Sequence, residues 1–189
     1  MKYYIEKFDS FSEEKREEFF SFLDKEKKRE YLSASNENRK LSILISQGFA
    51  KEKISEEYNI PKENIIFSVT DRGKPFCKSH PHIYFSLSHS SNFVALAISD
   101  KDIGIDIEKL RSAKAELVNR VCSSNEIDTI FSNENPDIKF TEIWTKKEAY
   151  LKALGTGIDR ELSSIDTTDK KLNFVTEINN EFIVSVFSL

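Results

Sequence analysis

Two spacings of apolar residues divide the chain. Tyr3 to Phe8 reads as a short strand, and Ser12-Glu13-Glu14 opens a helix whose apolar stripe is Phe19, Phe20, Phe22 and Leu23. A basic cluster follows, Lys25 to Arg29. Asn36 then caps a second helix carrying Leu41, Leu44, Ile45 and Phe49 at helical spacing, and Pro61 closes the region. From Ile65 the apolar positions recur every second residue: IIFSV, a turn over Asp71 to Pro75, then IYFSLS, FVALAIS and IGIDIE, a strand-rich middle. Helical spacing returns from Ala113 to Leu154, where Gly155 and Gly157 stop it. Two late strands are expected around Leu172 to Thr176 and Phe182 to Phe187.

Within this pattern IGIDIE, Ile103 to Glu108, combines three isoleucines with two acids. Side chains two apart on a strand share a face, so Asp106 and Glu108 look one way and Ile105 and Ile107 the other. Two like charges side by side need a compensator, and an oxygen-only donor set points to Mg²⁺. An edge strand with one solvated face explains the same residues. In the later helix, Trp144, Glu148 and Lys152 succeed one another by one turn, which a surface salt bridge would also produce. Asp106, Glu108 and Glu148 together would make a Mg²⁺ site of the sparse kind that shares the ion with a phosphate substrate.

Ser88 and His89 in FSLSHS suit an anion, although His89 fits a capped turn equally well. Arg72 and Lys74 place two cations in a tight turn before Pro75, and a plain hairpin loop explains that turn as well. His80 and His82 are given no role.

Composition narrows the setting. With 189 residues the chain can bury a sizeable core, as one large domain or two small halves. Its 28 basic and 32 acidic residues leave a net charge of -4, without the basic excess of a nucleic-acid binder. Cys77 and Cys122 lack metal-type spacing and read as structural thiols in a reducing compartment. No apolar run approaches membrane-spanning length and none opens the chain, so a soluble cytoplasmic protein is expected.

In order and spacing, GKP (Gly73 to Pro75), FSLSHS (Phe85 to Ser90), GIDIE (Gly104 to Glu108) and WTKKEAYLKALGTGI (Trp144 to Ile158) resemble the Sfp-type 4′-phosphopantetheinyl transferases. Trp144, Lys147, Glu148 and Lys152 meet the family pattern W-x-x-K-E-x-x-x-K. The resemblance implies an α+β fold of two similar α/β halves, residues 1–100 and 101–189, related by a pseudo-twofold axis with the active site in the cleft between them. It implies transfer of the phosphopantetheine arm of coenzyme A to a serine of an acyl or peptidyl carrier protein, leaving 3′,5′-ADP.

By residue-by-residue matching, Mg²⁺ would sit on Asp106, Glu108 and Glu148, Glu148 would serve as base, and Lys152 would steady the pyrophosphate. Arg72, Lys74, Pro75, Ser88 and His89 would contact coenzyme A, with Lys27 and Arg39 at its phosphates or adenine end on a looser alignment. Glu126 matches a family acid placed beside the metal site. The stretch Ala113 to Val121, with Lys114 and Arg120, corresponds to the surface offered to the carrier, and both halves in one chain imply a monomer. Two positions depart from the pattern: Ser91 stands where glycine is common, and Lys40 where serine or threonine is common. A Mg²⁺-dependent phosphodiester hydrolase and a non-catalytic carrier-binding module are the alternatives.

Overall fold

The computed structural model describes residues 1–8, 11–157 and 162–189. It is a mixed α+β protein in which each half of the chain builds a three-stranded antiparallel sheet with helices against it. In the first half β1 (Lys2–Lys7) and β4 (Tyr84–Ser90) flank the central β5 (Phe93–Ser99). In the second, β6 (Ile103–Glu108) and β7 (Phe174–Ile178) flank β8 (Ile183–Ser188). A separate hairpin joins β2 (Phe67–Val69) to β3 (Pro75–Cys77) across the Asp71 to Lys74 turn.

The helices of the first half are α1 (Glu13–Ser21), α2 (Lys25–Ser33), α3 (Glu37–Leu44) and α4 (Ala50–Tyr58), the last two joined through a π-helical stretch, Ile45–Phe49. Ser12, Asp24 and Asn36 each accept a hydrogen bond from the backbone three residues on, capping α1, α2 and α3. The basic cluster is therefore itself a helix. Nothing in α2 is buried, so it offers no apolar stripe by which to recognise it. The second half carries α5 (Ala115–Val121), α6 (Ser124–Phe131) and α7 (Pro136–Leu154), and Gly155 ends α7 at φ 65°. β7 begins at Phe174 because Leu172 is still in a turn, its N–H bonded to Asp169 O at 3.0 Å.

Alternation along β5 sets the layers. Val94, Leu96 and Ile98 enter the core of the first half with Phe19, Phe49 and Phe85. Phe93, Ala95 and Ala97 face the other way, onto Ile103, Ile105 and Ile107 of β6 and Val184 and Val186 of β8. The isoleucines of IGIDIE thus form the apolar layer between the two sheets, and the opposite face of β6 turns to α7. Gly104 makes that packing possible: a Cβ there would lie 1.9 Å from Ala149 O and 2.5 Å from Ala153 N. The connection between the two sheets runs from Ser99 to Ile103.

No helix among the described residues is long and apolar enough to cross a membrane. Cys77 and Cys122 are both buried free thiols, and burial pushes Cys122 up to about 12, which fits their structural reading.

Candidate functional site

β4 and β6 lie side by side at the junction of the halves, stitched by serine hydroxyls. Ser86 Oγ accepts from Ile105 N at 3.2 Å, Ser88 Oγ donates to Asp106 Oδ1 at 2.8 Å, and Ser90 Oγ donates to Glu108 Oε2 at 2.8 Å. Three serines two apart on one strand face meet successive groups of the acidic strand, which explains the alternation in FSLSHS.

Asp106 is buried, and its Oδ1 also accepts from Lys152 Nζ at 2.7 Å, while Lys152 donates to Ser88 Oγ at 2.9 Å. Burial is the largest influence on this carboxyl and raises its pKa; Lys152 and Ser88 pull the other way, and the Glu108 charge adds to the rise. Its second oxygen, Oδ2, is buried with no hydrogen-bond partner among the described residues. Glu108 is held at both oxygens, Oε2 by Ser90 and Oε1 by Arg111 Nη1 at 2.9 Å. The side chain of Glu148, half-buried on α7, makes no hydrogen bond or ion pair with the described residues. Burial raises its pKa first, the Asp106 charge adds to this, and Lys152 opposes it.

Among the described residues no group of three or more His, Cys, Asp or Glu side chains is drawn together in a geometry that holds a metal ion. The expected trio is instead compensated from within the chain, Asp106 by Lys152 and Glu108 by Arg111. Its chemistry nevertheless fits a hard cation: three carboxylates act on one another electrostatically, and the buried Oδ2 of Asp106 has an unused acceptor.

Beside these groups opens a cleft of about 260 Å³, lined by Arg72, Lys74, Pro75, Leu87, Glu148 and Lys152 among others. Of its eleven lining residues, Arg72, Lys74, Pro75, Glu148 and Lys152 are ones the sequence singled out. Arg72 Nη1 reaches Thr156 O at 3.2 Å. Lys74 is engaged with the second half: its Nζ donates to Ala153 O at 2.6 Å, at the end of α7, and to Asp102 at 2.8 Å.

His89 stands at the exposed end of β4, its Nε2 3.3 Å from Ser42 Oγ of α3. Lys27 and Arg39 do not line the cleft; both pair with Glu30 of α2, and Arg39 lies on α3 one turn before Ser42. The 144–158 motif is described as far as Gly157, and Ile158 lies outside the described residues.

Glu126 is a correction. It is fully buried away from the cleft, accepting from Ser123 N, from Thr167 N at 2.9 Å and from Thr167 Oγ1 at 2.8 Å, and it pairs with Lys147 at 2.6 Å. Lys147 also donates to Leu162 O at 2.7 Å and to Ile165 O. In the K-E pair of the α7 motif, Lys147 therefore anchors the helix inward, while Glu148 faces the cleft. Two participants were missed. Ser90 stood within FSLSHS with no partner assigned to it, and Arg111 lies beyond the last recognisable strand position.

Both halves of the chain match known family models. Residues 102–185 match a family model described as "4'-phosphopantetheinyl transferase superfamily", and residues 11–101 match one described as "4'-phosphopantetheinyl transferase, N-terminal". The chain is 35% identical over 123 residues to 4'-phosphopantetheinyl transferase psf-1 of Bacillus pumilus, which is 64% of this chain and 53% of that one. It is 30% identical over 155 residues to 4'-phosphopantetheinyl transferase Sfp of Bacillus subtilis (strain 168), 81% of this chain and 69% of the relative. With 4'-phosphopantetheinyl transferase gsp of Aneurinibacillus migulanus the identity is 33%, over 74% of this chain and 60% of the other. The chain thus spans between about half and two thirds of the length of these relatives. With both halves of the chain matched, and with the carboxylates, Lys152 and the cleft placed where those halves meet, the chain belongs to the 4′-phosphopantetheinyl transferase superfamily.

Proposed function

We propose that the chain transfers the 4′-phosphopantetheine arm of coenzyme A to a serine hydroxyl of an acyl or peptidyl carrier protein. The observation that carries this reading is the junction of Lys152, Ser88 and Asp106 beside a cleft that also presents Arg72, Lys74 and Glu148. Cations and partly compensated carboxylates converging on one cleft suit a pyrophosphate, whose negative charge the cations bind.

In the reaction the carrier serine oxygen attacks the phosphorus bearing the pantetheine arm. The bond from that phosphorus to the 3′,5′-ADP oxygen breaks, and the serine proton passes to a base. Glu148 is that base, directly or through a water: it lines the cleft, and no hydrogen bond from the described residues competes for its oxygens. Lys152 steadies the pyrophosphate and the departing phosphate. Arg72, Lys74, Pro75, Ser88 and His89 position coenzyme A, and Lys27 and Arg39 take its phosphate or adenine end, within a first half of residues 1–100. In the second half, residues 101–189, Asp106, Glu108 and Glu148 would hold Mg²⁺, which supplies charge neutralisation at the pyrophosphate. The Ala113 to Val121 stretch, with exposed Lys114 and Arg120, receives the acidic face of the carrier. The chain acts as a monomer in the cytoplasm.

The test is intact-mass measurement of apo carrier proteins after incubation with the protein, coenzyme A and Mg²⁺, with and without EDTA. A gain of one phosphopantetheine arm on a carrier, lost in EDTA, is expected. Coenzyme A cleaved with no gain on any carrier would replace transfer by hydrolysis.

A further inference from the structure

Arg111 is held by contacts with β6 and α7. Its guanidinium carbon lies 4.3 Å from the centre of the Trp144 ring, and its Nη1 donates to Glu108 Oε1 at 2.9 Å. Its backbone N–H donates to Thr141 Oγ1 at 2.9 Å, and Thr141 is fully buried on α7 one turn before Trp144. Phe140 backs the indole, with ring centres 6.2 Å apart. Ser90, from the other half, holds the second oxygen of Glu108 at 2.8 Å.

With side chains 36% and 22% exposed, the Arg111–Glu108 pair contributes little to stability as an ion pair. Its geometry is more specific than its energy. A planar guanidinium can lie flat on an indole and still donate in its own plane, which an ammonium cannot. The charge of Arg111 also acts on Glu148, so one cation faces two of the three carboxylates.

We infer that Arg111, seated over the Trp144 ring, is a positioning residue: it fixes the carboxylate plane of Glu108 and so the direction in which Glu108 serves the cleft. The inference rests on the reading of Asp106, Glu108 and Glu148 as the carboxylates of the transfer site. It gives the tryptophan of the α7 motif a task, since Trp144 acts on the site through Arg111 without lining the cleft.

Trp144 is the single tryptophan of the chain, so its emission reports the stack directly. The full chain and its Arg111→Ala and Arg111→Lys variants are compared by emission spectrum, thermal unfolding and steady-state transfer to an apo carrier. Arg111→Ala is expected to change the emission and to lower kcat by about 10- to 100-fold while KM for coenzyme A stays within about threefold. Arg111→Lys, which keeps the charge and loses the planar fork, is expected to retain the altered emission and a kcat at least about fivefold below the original. If Arg111→Ala does not fold, Arg111→Lys carries the test. Full kcat in either folded variant overturns the inference, because charge alone, or nothing at all, would then be needed. If the unaltered protein modifies no carrier, the transferase reading falls on its own; emission changed by Arg111→Ala and by Glu108→Gln would still uphold the orientation of Glu108, and unchanged emission would overturn it.

Discussion

Lys152 Nζ lies 2.7 Å from Asp106 Oδ1 and 2.9 Å from Ser88 Oγ, so one ammonium on α7 joins the acidic strand of the second half to a serine strand of the first. Replacing it leaves the buried Asp106 with only the Ser88 hydroxyl as donor. Lys152→Ala is expected to bind coenzyme A, to turn over at least about tenfold more slowly, and to lose about 1–3 kcal/mol of stability. Isothermal titration, steady-state kinetics and urea unfolding check the three parts; unchanged turnover would remove Lys152 from the mechanism.

Glu148→Gln should separate activity from stability. An acid whose pKa is higher in the folded state binds more protons there than in the unfolded chain between the two values, so stability falls as pH rises through that window. Glu148 is raised by burial and by Asp106, so at neutral pH its ionised form opposes folding. The glutamine variant is therefore expected to melt no lower than the original protein at pH 7, and to lose its relative advantage as pH drops below the carboxylate range. Its transfer rate should fall by about 10²- to 10⁴-fold, as for loss of a general base.

The same like-charge arrangement predicts that Mg²⁺ raises the melting temperature. At a hundredfold excess over its dissociation constant a ligand of the folded state adds about 2.7 kcal/mol. Scanning calorimetry with Mg²⁺ and with EDTA, on the original protein and on Asp106→Asn, measures this. An equal rise in both would separate the cation from Asp106.

Lys147 and Glu126 are both fully buried, so removing one partner strands the other. Lys147→Met is expected to cost about 3–5 kcal/mol, and the double change with Glu126→Gln to recover part of that loss. Urea unfolding of the two single variants and the double variant measures the coupling.

Ser91 occupies the left-handed region at φ 54° in the turn between β4 and β5. Glycine adopts that conformation freely, so Ser91→Gly is expected to stabilise by about 1 kcal/mol in denaturant titration. A lower midpoint would mean that the serine hydroxyl compensates for its backbone.

The sequence revealed most where side-chain alternation is forced by burial. IGIDIE divides as its spacing predicts, because the isoleucines face the other sheet while Gly104, Asp106 and Glu108 face α7. The departure at Ser91 was equally legible, since the position demands a backbone shape that glycine adopts most easily. Helix α2 was not legible, because its run of charged residues shows no apolar stripe and none of its residues is fully buried. The serines of β4 hid their partners for a related reason: the spacing of the hydroxyls suits an anion, and only β6 laid beside them shows that Ser88 and Ser90 meet Asp106 and Glu108. Glu126 matched a family acid, but only three dimensions show that Lys147 lies opposite it.

The absence of a side chain at Gly104 has a mechanical consequence. Helix and strand touch backbone to backbone there, so little compliant material separates α7, which carries Glu148 and Lys152, from β6, which carries Asp106 and Glu108. A shift of the helix along the strand would change all the distances between these groups together rather than one at a time. The site is thereby geared to a single contact, and a methyl group placed at that contact would detune it as a whole.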